Sequence, residues 1–131
     1  MILDSSAVLA ILFRESDASH YADAIEAAEV RRISAPTYVE LSIVVESQIG
    51  PSGLQDLEHF IRQASILIEP FTPEQAYLAQ RGWSKYGRGQ HPAKLNFGDC
   101  FSYALAKSLN EPLLFKGGDF SKTDIEPAIL P

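Results

Sequence analysis

An α/β fold of three layers, α/β/α, around a mainly parallel sheet of four to five strands is what this sequence predicts, on three observations. Short apolar runs of strand character recur along the chain: Ile2–Leu3, Ile33–Ala35, "ILIEP" at 66–70 and "PLLF" at 112–115. Between them lie segments with helical spacing of apolar residues, taken one or two at a time, and such alternation builds parallel sheets covered by helices on both faces. Carboxylates also stand at the ends of these runs or within a turn or so beyond them: Asp4, Glu40 and Asp119.

The elements follow in order. Ile2 and Leu3 form the first strand, and the near-continuous apolar residues of "SSAVLAILF" predict a helix buried on most sides, capped by Ser5 or Ser6. From Asp17 to Val30, Tyr21, Ile25 and Ala28 recur at helical spacing. The second strand covers Ile33–Ala35, and Pro36 opens the helix that carries Glu40, since its fixed φ suits a first turn. Ser52 and Gln55 have the pattern of a capping box before a helix with Leu54, Leu57 and Ile61 on its apolar face. After the third strand, Thr72, Pro73 and Gln75 open a helix that Gly87 is expected to end in a left-handed conformation. "GRGQHPAKLN" at 87–96 reads as a polar loop, after which Asn96 caps a helix running to Leu109 and Asn110 terminates it. "PLLF" is the fourth strand, "KGGDFSKTD" a loop and "AILP" a candidate edge strand. No repeat, linker or low-complexity tract divides the chain, so residues 1–131 are expected to form a single domain.

At 46% hydrophobic and 21% charged residues the composition is that of a globular protein, without the roughly 20-residue apolar stretch of a membrane span. The sequence opens in strand-like residues with no basic leader, so a cytoplasmic location and no membrane partner are expected. The one cysteine, Cys100, can form neither an intramolecular disulfide nor a cysteine-based zinc site, and reads as a small buried helix residue. His20, His59 and His91 lack zinc-motif spacing, and "GRG" and "KGGD" lack the phosphate-loop pattern G-x-x-x-x-G-K-[ST]. A net charge of −6 argues against a nucleic-acid partner, but the charge is uneven. From Gln75 to Gly98 there is no acid, and four of the 11 basic residues, Arg81, Lys85, Arg88 and Lys94, lie there among Trp83, Tyr86, His91 and Phe97. Bases interleaved with rings suit phosphate contact and base stacking; the plainer alternative is a solvated helix face. Lys116 is a further candidate for phosphate contact, and Lys122 another.

Strands of a parallel sheet point one way, so their carboxyl ends and the helix starts that follow share an edge where ligand sites form. Asp4, Glu40, Asp119 and Asp99, the last in the opening turn of "NFGDCFSYALAKSL", are placed to meet there. Each has a plainer role. Asp4 would cap its helix, Glu40 would complete a capping box with Thr37, Asp99 would complement the helix dipole after Asn96, and Asp119 would be a turn residue after Gly117 and Gly118. Capping does not require an acid at the exit of three different strands, however. Four carboxylates without paired bases make an oxygen-only site for a hard cation such as Mg2+ or Mn2+. Ser6 reads either as a cap or as a hydroxyl supporting the site.

"ILDSSAVLAIL", Glu40 in "SAPTYVEL", and "LNFGDCFSYALAKSLNEPLLFKGGDF" followed by "TDI" closely resemble the PIN-domain ribonucleases of the VapC toxin family, in order and spacing over essentially the whole chain. The resemblance implies a PIN-like fold and a homodimeric endoribonuclease dependent on Mg2+ or Mn2+. It implies an RNA substrate, often transfer or ribosomal RNA, and a cognate antitoxin that blocks the acidic groove. Carried over by position, it makes Asp4 and Asp99 the principal metal ligands and Glu40 and Asp119 the acids that complete the site directly or through water. Ser6 matches the hydroxyl after the first aspartate, Asn96 a polar position before the third acid, and Asp124 is a fifth candidate. A haloacid-dehalogenase-like phosphatase would carry an aspartate where this chain has Ser6, and a receiver domain an acidic pair near its first strand. A non-catalytic PIN-like binding module would not require four intact acids.

Overall fold

Ile2 and Leu3 are both wholly buried, and as neighbours in a strand they point to opposite faces, which places the first strand inside a sheet covered on both sides. The computed structural model, which describes residues 1–129, shows that sheet. Its strands β1 (Ile2–Leu3), β2 (Arg31–Ser34), β3 (Ile66–Glu69) and β4 (Leu113–Leu114) pair in the order β3-β2-β1-β4, all parallel. The helices are α1 (Ser5–Leu12), α2 (Ala18–Ala27), α3 (Ala35–Ile49), α4 (Pro51–Gln63), α5 (Pro73–Tyr86) and α6 (Phe97–Leu109), with a 3-10 turn at Phe120–Lys122. Leu3 and Leu114 pack with Val8, Ile33, Leu41 and Leu57 of one layer. Ile2 and Leu113 pack on the other side with Tyr86, Leu95, Tyr103 and Leu105. The three-layer expectation holds, and no helix among the described residues is long and apolar enough to cross a membrane.

Several boundaries differ from the sequence expectation for local reasons. β2 starts at Arg31 and hands over to α3 at Ala35, because Arg31 reaches the carbonyl of Ala64 (2.8 Å) and Arg32 pairs with Glu69 (2.6 Å), giving two charged strand residues partners that periodicity cannot reveal. The cap of α1 is Asp4, not Ser5 or Ser6. Ser52 and Gln55 form no capping box: Gly50, at φ 88°, joins α3 directly to α4, so Ser52 already lies inside the helix. Gly87 does end α5, but with φ −68° and ψ 164° rather than left-handed; a Cβ there would come within 2.7 Å of the Trp83 indole. The loop at 87–96 is built rather than merely polar, since Ala93 and Leu95 are wholly buried and Leu95 bonds back to Tyr86 and Arg88. Asn96 and Asn110 cap α6 as expected, Asn110 in the left-handed region. Beyond β4, Glu126 and Ala128 hydrogen-bond to Leu113 and leave a single parallel bridge at Pro127 where a fifth strand was expected; Leu130 and Pro131 of "AILP" lie outside the described residues.

Candidate active site

β1 is an inner strand, so the residue that leaves it, Asp4, is only 4% exposed. Burial of a carboxylate requires hydrogen-bond donors, and three are present. Oδ2 accepts from the Ser6 N–H at 3.1 Å and the Ser6 hydroxyl at 2.6 Å, and Oδ1 accepts from the Ser102 hydroxyl at 2.6 Å. The Ser6 hydroxyl in turn accepts from the Lys116 N–H at 2.9 Å, tying the exits of β1 and β4 together. Ser102, wholly buried in α6, is a site residue that the sequence reading missed. The available signal was a hydroxyl one turn before Leu105 and Ala106 on a buried side of α6.

Asp99 and Asn96 form a reciprocal capping box at the start of α6: the Asp99 N–H donates to Asn96 Oδ1 at 2.9 Å, and the Asn96 N–H donates to Asp99 Oδ2 at 3.0 Å. The capping role and the site position therefore coexist in one side chain. Glu40 projects from α3 toward the same turn, and its carboxylate occupies the space where a Cβ on Gly98 would stand; such an atom would lie 2.8 Å from Glu40 Cδ. Gly98 was not singled out by sequence, because a glycine early in a helix carries no signal of what lies above it. The Ser5 hydroxyl reaches Glu40 at 3.5 Å.

These acids act on one another. Burial, opposed by the Asn96 N–H, raises the Asp99 carboxyl to about 6, and the negative charges of Asp4, Asp119 and Glu40 add to the rise. Glu40 is raised by burial and then by the charge of Asp4, with Ser5 opposing. Asp119 is exposed at the head of the 3-10 turn and makes no capping bond with its side chain. The basin thus runs from an enclosed Asp4 to an exposed Asp119, and among the described residues no Lys or Arg side chain pairs with any of the four. Nor, among those residues, do three or more such side chains stand in a ready-made metal-ligand cluster.

The other sequence candidates fall elsewhere. Asp124 is held by the Tyr103 hydroxyl (2.9 Å) and the Lys107 ammonium (2.8 Å). The Lys116 ammonium pairs with Glu15 and Asp17 between α1 and α2, so its charge is already matched. Arg81, Lys85, Arg88 and Lys94 are exposed along α5 and the loop after it. Cys100 is buried, donates to the Asn96 carbonyl at 3.3 Å and has its thiol pushed up to about 11 by burial and by Asp99, which keeps it protonated. Beside the acids, two apolar hollows of about 490 and 390 Å3 share Phe97 and Phe101; the first reaches Glu40, Val39 and Ile43, the second Trp83 and Cys100.

An inner-strand aspartate, a helix-start aspartate and two flanking acids at the carboxyl edge of a parallel sheet define a class, and residues 1–126 match the family described as the PIN domain. The chain belongs to that family. It is 50% identical over 130 residues to Ribonuclease VapC28 of Mycobacterium tuberculosis, covering 98% of each chain, and 41% identical over 131 residues to Ribonuclease VapC30 of the same species, covering 100% of each. The fold is also that of the solved Mycobacterium tuberculosis VapC20, a sarcin-ricin loop cleaving toxin, with a TM-score of 0.79 at 15% identity over 99% of this chain and 98% of that one. Within the PIN domains it is therefore a VapC-type ribonuclease, the toxin component of a toxin–antitoxin system.

Proposed function

We propose that Asp4, Glu40, Asp99 and Asp119 together hold a divalent cation, Mg2+ with Mn2+ able to substitute, and that the chain, as a single PIN unit over residues 1–131, cuts RNA internally by hydrolysis. The observation that carries this reading is Asp99, raised to about 6 in a basin where its neighbours are acids and no basic side chain answers them among the described residues. An oxygen-only donor set fits a hard cation. Among the described residues no three ligands stand in a closed set, so the ion would keep several waters, taking one or two of these carboxylates and substrate phosphate directly and the other acids through water. An ion held there supplies polarisation of the scissile phosphoryl group and activation of the attacking water.

The residues divide the remaining work. Ser6 and Ser102 fix Asp4, Asn96 fixes Asp99, and Gly98 leaves room for Glu40. Arg81, Lys85, Arg88 and Lys94 take the phosphates of a transfer or ribosomal RNA substrate, while Lys116, already paired, takes a lesser part. The cognate antitoxin blocks the acidic groove with an arginine or lysine, whose charge replaces that of the cation. The apolar face around Phe97 (79% exposed), Ile43 (60%) and Val39 (53%) packs against a second copy to form the homodimer, and the enzyme acts in the cytoplasm.

The test is incubation of antitoxin-free protein with total cellular RNA and Mg2+ or Mn2+, followed by mapping of the cleaved ends. Discrete internal cuts that a chelator abolishes are expected. Cutting that persists in excess chelator, or trimming from the ends alone, overturns the proposal.

A further inference from the structure

Asp4 is the most enclosed of the four acids, and its acceptor positions can be counted. An ionised carboxylate offers about four, two on each oxygen. Ser6 fills both positions of Oδ2, through its N–H at 3.1 Å and its hydroxyl at 2.6 Å, and Ser102 fills one of Oδ1 at 2.6 Å. One position stays open, on the oxygen that Ser102 holds.

We propose that Ser102 is a positioning residue for the ribonuclease reaction: its buried hydroxyl locks the Asp4 carboxylate against rotation about Cβ–Cγ, so that Oδ1 alone, in one fixed direction, is presented to the acidic basin. The inference rests on reading that basin as a cation site. A serine inside a helix is a poorer helix former than alanine, and a buried hydroxyl is costly unless bonded. Ala106, one turn further on, shows what packing alone places on that side of α6. The bond to Asp4 belongs to the short, charge-assisted class, which answers that cost. Ser102 also lies 3.5 Å from the buried Thr37 hydroxyl, three residues before Glu40 in α3. One hydroxyl thereby joins β1, α3 and α6, the three elements that set Asp4, Glu40 and Asp99.

The experiment follows the melting temperature of the full chain through a titration with Mn2+ alone, for the wild type, Ser102→Ala, Ser102→Cys and Asp4→Asn. Partners behind a ligating group are typically worth 10- to 100-fold in metal affinity, so Ser102→Ala should weaken apparent Mn2+ affinity about tenfold or more. Ser102→Cys keeps the shape with a somewhat larger terminal atom and offers only a weak donor; it should fall between, and it carries the comparison if the alanine variant does not fold. A change of less than about twofold in the Ser102 variants, against loss of the response in Asp4→Asn, reduces the hydroxyl to core packing and overturns the inference while the cation reading stands. A full wild-type response in Asp4→Asn overturns the cation reading, and the inference falls with it.

Discussion

At the amino edge of the sheet, the Glu111 carboxylate lies 2.6 Å from the Met1 amino group and 3.3 Å from Arg32, whose guanidinium also reaches along the sheet to Glu69, the last residue of β3, at 2.6 Å. At the carboxyl edge, Asp4, Glu40, Asp99 and Asp119 gather with hydroxyls and N–H groups but, among the described residues, no cation. The first arrangement lowers the free energy of the fold through matched charges. The second raises it, because Asp99 and Glu40, partly desolvated and repelled by neighbouring acids, favour their neutral forms. A fold retains such an edge where the missing charge arrives with a ligand, so under the proposed cation reading the contrast separates residues that hold the sheet together from residues held for chemistry.

The largest effect expected from breaking the contrast is in Asp4→Asn, which removes a charge at nearly constant volume. RNA cleavage should fall at least about a hundredfold, the scale on which single preorganised electrostatic groups act, while circular dichroism stays native. Wild-type cleavage rates in this variant would remove Asp4 from the chemistry.

Gly98→Ala comes next. An alanine Cβ would displace the Glu40 carboxylate, a movable group, and in a helix alanine is favoured over glycine by about 1 kcal/mol. Cleavage should drop roughly tenfold, about 1.4 kcal/mol in the barrier, without loss of urea stability. Joint loss of stability and activity would show that the glycine serves the backbone instead.

Opposite signs of stability change sharpen the comparison further. Asp99 titrates near 6 in the fold, above its value of about 4 in an unfolded chain, so the folded state holds the proton more tightly. Stability present at about pH 4 is therefore lost as pH rises through 6. Asp99→Asn should make the ion-free protein more stable than wild type above about pH 6 and give no such gain below about pH 4. Glu111→Gln, at the paired edge, should cost about 1 kcal/mol at neutral pH and leave cleavage intact. Urea denaturation in chelator at both pH values reads the two signs; destabilisation of both variants at neutral pH would erase the distinction.

The smallest effect belongs to the rim. Reversing the charge of Arg88 and Lys94 should reduce the slope of log affinity against log salt by roughly 0.7 to 0.9 for each RNA phosphate that is no longer neutralised. Unchanged binding and slope would make this window a solvated face.

The places of the four acids in the fold were legible from chain order: Asp4, Glu40 and Asp119 follow strands directly or within a turn or so, and Asp99 opens a helix behind its Asn96 cap. What supports them was not. Ser102 lies 98 residues from Asp4, and Gly98 lies 58 positions after Glu40, so neither pairing leaves a local pattern. Lys116 looked free because its partners, Glu15 and Asp17, are about a hundred residues earlier.

By itself the sequence determined the alternation of strands and helices, the asparagine caps of α6 and the order of the acids, since these depend on interactions within a few residues. Only the tertiary structure decided which strand is inner, and hence that Asp4 is buried; which hydroxyls answer its two oxygens; and which lysines are already paired. The physical reason is distance along the chain. Periodicity and capping are fixed by neighbours, whereas desolvation and charge matching depend on groups that only the packed sheet brings together.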